Sequence, residues 1–325
     1  MISAYGVSGA ATRLSPDDGL QSLPDDIVWI DLFQPLREEE SFLEGLLRIE
    51  LPTREDMKDI EPSSRLYTEN GATFMTGSVI WKSDTDAPEL ADIAFILTGN
   101  RLVTIRYGNP RSFALFAAGL QRLPENCRSG PVLLARLLET IADRTAEILE
   151  QTVAKMDTLS TQVFGGGSRG KRRPPRYLED RLLDVAAHHR MVSKTRDSLG
   201  SLGRLLSFVQ SVPAVAQDEQ AHELCATVLR DVHSLSEHAS FISGNITFLL
   251  DASLGLINVE QNAIIKIFSI ASVVFLPPTL VASVYGMNFQ FMPELNWSFG
   301  YPLALLLMLV SAIVPFFVFR WKGWL

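Results

Sequence analysis

Cysteine and basic charge are both scarce in this chain of 325 residues. The two cysteines, Cys127 and Cys225, lie far apart, and neither has a Cys or His at metal-ligand spacing. A disulfide-stapled secreted fold is therefore excluded, and each cysteine is expected to be a small core residue. The net charge of −8 argues against a nucleic-acid partner. An apolar content of 47% excludes a disordered chain.

Charge is almost absent from residues 262–325, whose four charged side chains are Lys266, Glu294, Arg320 and Lys322. Two runs in this segment, 267–285 and 301–319, each have 19 residues and no formal charge. A helix needs about 20 apolar residues to cross the ~30 Å hydrocarbon core of a bilayer. The sequence therefore predicts two transmembrane helices.

The basic residues predict the orientation of these helices. Lys266 precedes the first run and two basic residues follow the second, whereas the connecting residues 286–300 carry one acid and no Lys or Arg. The positive-inside rule then predicts that both termini are in the cytoplasm. The membrane is expected to be the cell inner (plasma) membrane. We expect no signal peptide, because the N-terminus lacks a basic segment followed by an apolar run. The part before residue 262 is then cytosolic and carries a net charge of −10.

Residues 1–110 are predicted to combine strands with helix. Five runs rich in β-branched and aromatic residues predict strands, at 2–7, 27–33, 73–81, 93–98 and 101–107. Gly99-Asn100 between the last two predicts a tight hairpin turn. The apolar spacing of residues 36–50 predicts a helix.

After Pro110 the apolar spacing is helical throughout. A short helix is predicted over 112–123, followed by long amphipathic helices over 131–164 and about 176–210. A third long helix opens at Pro213, and the next proline is Pro277. If this stretch of about 64 residues is one helix, it is about 95 Å long and carries the chain directly into the membrane.

Residues able to carry catalysis form no recognisable constellation. The segment 165–171 (GGGSRGK) resembles a phosphate-binding loop only superficially, since Arg172 stands where Ser or Thr is needed. The basic segment 165–176 is either a solvated hairpin tip or a contact for anionic lipid headgroups. The five histidines form no metal-binding pair, and no nucleophile has a base at suitable spacing. The chain is therefore not predicted to be an enzyme.

One face of the first predicted span is polar. Residues on this face follow one another at steps of three, four or seven positions. We call them the polar stripe: Asp251, Asn258, Asn262, Ile265, Ser269, Ser272, Leu276, Thr279 and Ser283. A period of 3.5 residues keeps such a stripe turned toward a partner helix. Ordinary helix packing explains it, because Ser and Thr are common at membrane helix interfaces. A pore lined by oxygen atoms and closed by apolar rings explains it equally.

The end of the first span carries a specific motif. It reads Tyr285-Gly286-Met287-Asn288 and continues as FQFMPELNWSFGYP. This resembles the CorA family of divalent-cation channels, and bacterial CorA magnesium transporters in particular, whose signature is Gly-Met-Asn at this position. The resemblance extends from about Gly255 to the terminal WKGWL.

The resemblance implies a membrane homopentamer with an α+β cytosolic domain, a funnel of long helices and two C-terminal transmembrane helices. In order, the implied segments are an α/β domain (1–125), a helical hairpin (126–212), a stalk helix (213–262), the pore-lining first transmembrane helix (263–286), an outer entrance loop (287–300), the second transmembrane helix (301–320) and a cytosolic tail (321–325).

The resemblance also implies roles for particular residues. Gly286, Met287 and Asn288 form the outer entrance, where amide groups meet a hydrated ion. Asn262 and Thr279 match polar pore positions, and Ser272 and Ser283 share their face. Ile265, Phe268 and Leu276 match apolar constrictions, although the helical period alone favours Ser269 over Phe268. Asp251 matches an acid that binds regulatory Mg²⁺ between subunits, and Asp84 and Asp86 are weak candidates for its partner acid.

The implied activity is passive influx of Mg²⁺, and also of Co²⁺ and Ni²⁺, closed by intracellular Mg²⁺. One departure from the family is Gln290, where many members have an acid, so the entrance loop depends on Glu294 for negative charge. A zinc transporter of the same superfamily is the alternative. An alternative of another class is a membrane-anchored cytosolic enzyme or scaffold.

Overall fold

The computed structural model describes residues 1–59, 61–85, 87–122, 128–165, 177–288, 290 and 292–323. Contacts divide the chain into an N-terminal unit, Met1–Leu250, and a C-terminal unit, Asp251–Leu325. The predicted fold class, an α+β region followed by long helices and two apolar C-terminal helices, is confirmed.

A seven-stranded sheet forms the centre of the N-terminal unit. Its strands are β1 (Ile2–Gly6), β2 (Ala11–Leu14), β3 (Ile27–Phe33), β4 (Leu66–Glu69), β5 (Ala72–Trp81), β6 (Glu89–Thr98) and β7 (Arg101–Arg106), in the order β2-β1-β3-β7-β6-β5-β4. Neighbouring strands are antiparallel except for β3 and β7, which are parallel. The five predicted strands are all present, and the turn between β6 and β7 places Gly99 at a φ of 56°. The short edge strands β2 and β4 had not been predicted.

Eight helices accompany the sheet within the described residues. They are α1 (Arg37–Leu47), α2 (Pro62–Arg65), α3 (Arg111–Leu120), α4 (Gly130–Gly165), α5 (Tyr177–Val209), α6 (Pro213–Ala216), α7 (Glu219–Tyr285) and α8 (Gly300–Trp321). Helix α5 approaches β5 so closely that a Cβ on Gly77 would lie 3.0 Å from the Leu205 side chain. Ser201 Oγ accepts a hydrogen bond from the Ser78 backbone N–H at 2.9 Å, which anchors the helix to the strand.

The long helix begins six residues later than predicted. Pro213 opens only the one-turn helix α6, and the chain then restarts as α7 at Glu219. Asp218 explains the restart, because its side chain accepts a hydrogen bond from the Ala221 N–H at 3.1 Å, as a helix N-cap does. Helix α7 then runs for 67 residues and passes through Pro277 and Pro278 without ending.

A buried ion pair crosses the two parallel strands of the sheet. Asp31 on β3 accepts hydrogen bonds from the Arg106 guanidinium on β7 at 2.9–3.1 Å. The guanidinium carbon lies 4.5 Å from the ring centre of Phe33 and 4.7 Å from that of Phe113. A buried charge pair is tolerated when its remaining hydrogen-bonding groups are satisfied. Thr104 contributes here by donating to Asp31 at 2.7 Å.

Candidate ion pathway

The part of α7 that is long and apolar enough to span a membrane has one partly covered face. Its half-buried side chains recur at helical spacing, at Ile270, Val274, Pro277, Val281 and Tyr285. Helix α8 has a corresponding series, at Gly300, Ala304, Met308, Ser311, Pro315 and Phe319. The repeat indicates that each helix turns one face inward within the C-terminal unit. The remaining faces are exposed. In the most apolar 18-residue segment of α7, 0% of the residues are buried, and in that of α8 6% are.

The sequence-predicted pore residues lie on the bare side of α7. Each of them is exposed in the single chain: Asn262, Ile265, Phe268, Ser272, Leu276, Thr279 and Ser283. At about 100° per residue, the centre of this series is about 180° around the helix from the partly covered series. The polar stripe therefore lies on the side of α7 that its own chain leaves exposed.

Phe268 and Ser269 are equally well placed to face a pore. Both side chains are exposed, with Phe268 at 69%, and they flank the centre of the bare face on opposite sides. Either residue can therefore face a space between several copies of the helix.

Two hydroxyl groups on this face are oriented by their own helix. Ser272 Oγ donates to the Phe268 carbonyl oxygen at 2.9 Å. Thr279 Oγ1 lies 3.0 Å from the Phe275 carbonyl oxygen and 2.8 Å from that of Leu276. Because the hydroxyl hydrogens point back into the helix, the oxygen lone pairs point outward. Such oxygens can accept hydrogen bonds from the water shell of a cation.

The Gly-Met-Asn motif directly follows the end of α7. The Gly286 N–H donates to the Ala282 carbonyl at 2.9 Å, and the Met287 N–H donates to that of Val284 at 3.3 Å. A Cβ at position 286 would lie 3.0 Å from the Ala282 oxygen, so a larger residue requires this oxygen to move by a few tenths of an ångström. Asn288 is exposed beyond the turn. Glu294 lies in the short 3₁₀ helix Pro293–Asn296.

The helix α8 carries large aromatic residues near both of its ends. Trp297, Phe299 and Tyr301 are 63–76% exposed before and at its start, and Trp321 is 86% exposed at its end. Amphipathic Trp and Tyr rings are enriched at the two membrane–water interfaces. This placement fits a helix of 22 residues, which is about 33 Å long.

The candidate regulatory acids differ in their surroundings. Asp251 is exposed on α7. Asp84, in contrast, accepts a hydrogen bond from Arg144 at 3.3 Å and lies 3.9 Å from Arg111. Asp84 is thus already paired with cations of its own chain and fits poorly as a metal ligand. Asp86 lies outside the described residues.

An acidic cluster on the long helices was missed by sequence reasoning. Burial raises the pKa of Asp143, and the nearby carboxylates of Glu139, Asp231 and Glu147 raise it further. The spacing of Glu139, Asp143 and Glu147, four residues apart on α4, is the signal that could have revealed most of it. Even so, no three His, Cys, Asp or Glu side chains in the described part of the chain converge as a metal site.

The remaining sequence candidates carry no chemistry in the structure. Cys225 is fully buried, and burial raises the pKa of its thiol to about 12, as expected of a core cysteine. Cys127 and basic residues 166–176 lie outside the described residues. Burial, followed by the charge of Lys155, lowers the pKa of His188.

Taken together, these features define an integral membrane protein with a mixed α/β domain and two C-terminal spans. The first span bears oxygen-containing side chains on its bare face. Residues 24–321 match the family described as "CorA-like Mg2+ transporter protein", and the chain belongs to this family.

Individual proteins agree with the family match. The chain is 36% identical over 330 aligned positions to "Magnesium transport protein CorA" of Mannheimia succiniciproducens, with both chains covered completely. The protein of the same name from Pasteurella multocida is also 36% identical with full coverage of both chains. The fold matches the complete structure of the CorA magnesium transporter from Methanocaldococcus jannaschii with a TM-score of 0.75 and 19% identity, covering 100% of this chain and 98% of that one. The predicted family is confirmed, as is the prediction of a transporter rather than an enzyme.

Proposed function

We propose that the protein conducts Mg²⁺ passively across the cell inner membrane as a homopentameric channel. One observation carries this proposal: the oxygen-bearing face of the first span is opposite the face that its own chain covers. A helix with that arrangement is suited to line a water-filled path, while its other face packs against the second span. The names of the full-length relatives support Mg²⁺ as the transported ion.

Oligomerisation follows from the number of spans. Two helices cannot enclose a pore, so several copies must bring their bare faces together. Five copies are what the family resemblance implies. Membrane lipid then covers the outward faces of α8, whose mean hydropathy over its most apolar window is 2.6.

The proposed outer entrance consists of Gly286, Met287 and Asn288. Mg²⁺ loses its water reluctantly and prefers oxygen ligands. A ring of neutral Asn288 amides therefore binds the hydrated ion through its water without trapping it, and Glu294 supplies negative charge to the same loop. Co²⁺ and Ni²⁺, as divalent ions with similar hydration shells, are expected to pass as well.

Further along the proposed pore, polar and apolar rings alternate. Asn262, Ser272, Thr279 and Ser283 offer oxygen atoms to a hydrated ion. Ile265, Phe268 and Leu276 form constrictions that close by losing water from the path. Asn262, Thr279 and the three constrictions are predictions of the family resemblance, whereas Ser272 and Ser283 are predicted from the helical period alone.

The driving force is the membrane potential. Moving one charge across 100 mV is worth about 2.3 kcal/mol, so a divalent ion gains about twice that on entering a negative-inside cell. With both termini in the cytoplasm, as the basic residues predict, the inward direction leads from Asn288 toward Asp251.

Closure is proposed to depend on intracellular Mg²⁺ bound by Asp251 together with acids of a neighbouring copy. Carboxylate oxygens are suitable Mg²⁺ ligands. When the ion leaves, repulsion between the uncompensated carboxylates loosens the closed assembly. Asp84 is a weaker candidate for the partner acid because Arg144 already holds it.

The entrance is tested by Mg²⁺ uptake into liposomes containing the purified protein. Asn288→Ala is expected to abolish uptake while leaving assembly intact. Asn296→Ala is the matched control, since Asn296 is an exposed asparagine of the same loop outside the motif. Undiminished uptake by the Asn288→Ala variant contradicts the entrance role, and uptake measured separately with Mg²⁺, Co²⁺, Ni²⁺ and Zn²⁺ separates the magnesium proposal from a zinc transporter.

Regulation is tested in the same liposomes by varying the internal Mg²⁺ concentration. Asp251→Lys is expected to shift closure to higher internal Mg²⁺, because it removes one ligand and adds a cation. An inhibition curve identical to that of the unmodified protein contradicts a sensing role for Asp251.

A further inference from the structure

Two exposed helix faces of the N-terminal unit carry opposite charge. On α4, exposed acids recur at steps of three, four and seven residues, and we call them the acidic face: Asp143, Glu147, Glu150 and Asp157. On α5, most exposed residues between 189 and 207 are basic, and we call these the basic face: His189, Arg190, Lys194, Arg196 and Arg204. Asp197 is the one exposed acid in that stretch.

Most of these charges have no partner of opposite sign in their own chain. Within the part of the chain that the structure describes, Glu147 is the only member of either face with an ion pair, to Arg144 at 2.7 Å. Burial raises the pKa of Asp143 and neighbouring carboxylates raise it further, so negative charge is in excess on this side of α4. Each face is therefore suited to a surface of the opposite sign.

The two faces point away from each other within one copy. The sides on which α4 and α5 meet line a common cavity of about 90 Å³, formed by Ile148, Gln151, Thr152 and Lys155 of α4 and Ala187, His188 and Met191 of α5. At about 100° per residue, the centre of the acidic face is about 135° around α4 from this side, and the centre of the basic face is about 150° around α5 from it. One copy thus cannot pair its own two faces.

The contacts between α4 and α5 determine which of their residues lie at the same height. The helices are antiparallel: Arg181 donates to Gln162 Oε1 at 2.8 Å near one end, and His188 shares the cavity with Gln151 further along. Continuing this register places three pairs at equal height, each within about one residue. These pairs are Asp157 with Leu183, Glu150 with Arg190, and Glu147 with Lys194.

A ring of copies turns these equal heights into contacts. Rotation about an axis that runs along the two helices keeps every residue at its height, so α5 of one copy meets α4 of the next in the same antiparallel register. Contacts between two different surfaces close into a ring in this way. Leu183, which is 70% exposed, then reaches an open groove of about 240 Å³ beside Asp157, whose wall includes the exposed rings of Phe164 and Phe241.

We propose that the basic face of α5 in one copy docks on the acidic face of α4 in the next copy, with Arg190 opposite Glu150 and Leu183 against the groove. The inference rests on the proposed channel, which requires several copies, and it assigns the surfaces that join their N-terminal units. The net charge of −10 before residue 262 makes copies repel one another. A contact between opposite charges offsets this repulsion and fixes the register of the copies.

The contact is tested by disulfide formation between two versions of the full-length protein in liposomes. Glu150→Cys and Arg190→Cys chains, both with Cys127→Ser and each with its own affinity tag, are expressed together, oxidised and then denatured. Because each chain has one added thiol, a covalent product with both tags joins two copies, and this product is expected. Cys225 is not expected to react, because it is fully buried and burial raises the pKa of its thiol to about 12.

A mismatched pair tests the register. Ser207 is exposed on α5 about 26 Å beyond Arg190. Glu150→Cys with Ser207→Cys is expected to give roughly tenfold less two-tag product, because a disulfide requires Cα atoms within about 7 Å. Glu147→Cys with Lys194→Cys is a second matched pair, which decides if a variant of the first pair fails to assemble. The proposal is overturned if neither matched pair gives the product, or if matched and mismatched pairs give equal yields.

The charges are tested by exchanging them. Glu150→Arg and Arg190→Glu are each expected to lower the temperature at which the oligomer dissociates in mild detergent, as measured by size-exclusion chromatography after heating. The double variant Glu150→Arg/Arg190→Glu restores opposite charges at every contact and is expected to dissociate near the temperature of the unmodified protein. Glu223→Arg, at an exposed acid of α7, is the control. In 1 M salt, where the Debye length is about 3 Å, the differences are expected to shrink.

Two results of the exchange contradict the pairing. One is a double variant that dissociates at a lower temperature than either single variant. The other is a pair of single variants that both dissociate like the Glu223→Arg control.

The outcomes separate this inference from the proposed channel. If the unmodified protein is an oligomer by native mass spectrometry and takes up Mg²⁺, but gives no two-tag product, the channel stands and the interface is wrong. If the unmodified protein is monomeric, both are wrong. Two-tag product from a protein that takes up no Mg²⁺ supports the interface and contradicts the channel.

Discussion

The two units of this chain handle apolar side chains in opposite ways. In the N-terminal unit Phe95 is 0% exposed and Trp29 is 1% exposed, so one copy completes its own core. In the C-terminal unit Phe268 is 69% exposed and Leu276 is 64% exposed. The four side chains have similar hydrophobicity, so hydrophobicity does not explain their different exposure. The medium that surrounds each unit does. The first unit buries most of its large apolar side chains within one copy, whereas the second leaves such side chains exposed, as a segment that contacts lipid does.

The largest expected contrast is between two phenylalanines, one in each unit. Phe95→Ala is expected to lower the free energy of unfolding by about 4 kcal/mol, because it leaves a cavity in a closed core. Phe268→Ala removes a ring with few contacts in its own chain and is expected to cost less than about 1 kcal/mol. Thermal unfolding in detergent measures both. Equal destabilisation by the two variants would contradict the contrast.

The buried ion pair gives the next largest effect, again confined to the N-terminal unit. Asp31→Ala leaves the Arg106 guanidinium buried without its carboxylate, which is expected to cost about 3 kcal/mol. The double variant Asp31→Ala/Arg106→Leu removes the stranded charge and is expected to recover part of the loss. Chemical denaturation followed by circular dichroism provides the measurement. A double variant less stable than Asp31→Ala would show that the charge is not the source of the cost.

The sequence predicted both spans, all five long strands and the helical run because each depends on a local pattern. The Gly-Met-Asn motif likewise identified the family. The ion pair of Asp31 and Arg106 was not predictable, since its two residues lie 75 positions apart and meet only through the pairing of β3 with β7. The start of α7 was missed because Asp218, rather than Pro213, caps it. The sequence could not predict that the polar stripe is exposed, because this depends on which face of α7 is covered by the rest of the chain.

A pair of glycines, one from each unit, gives a smaller contrast. Gly286→Ala places a methyl group against the Ala282 carbonyl and is expected to reduce Mg²⁺ uptake roughly tenfold, or about 1.4 kcal/mol. Gly45→Ala on α1 meets nothing within 4 Å and is expected to stabilise the helix by up to about 1 kcal/mol without changing uptake. Liposome uptake and thermal unfolding distinguish the two variants. Normal uptake by Gly286→Ala would refute the steric requirement at the entrance.

The smallest expected effect is a pH dependence that arises in the N-terminal unit. The raised pKa of Asp143 means that the folded protein holds this proton more tightly than the unfolded chain does. Its contribution to the free energy of unfolding therefore falls as pH rises above the ordinary value of 3.8 and levels off beyond the raised value.

Asp143→Asn removes one carboxylate from between Glu139 and Glu147. It is expected to add about 0.5 kcal/mol at neutral pH and to flatten the acid part of the stability profile. Unfolding temperatures measured between pH 4 and 8 provide the check. A variant with an unchanged profile would mean that the neighbouring basic side chains, Arg136 and Arg144, already neutralise the cluster.

The two consecutive prolines in α7 have a mechanical consequence. Pro277 and Pro278 have no N–H, so the carbonyl oxygens of Val273 and Val274 lack the donors that a regular helix provides. Bending resistance is therefore lowest one turn below Thr279, in the middle of the apolar run. A bend imposed on the N-terminal part of α7 would therefore be concentrated just before the prolines and would displace the outer end at Asn288 less than the inner half.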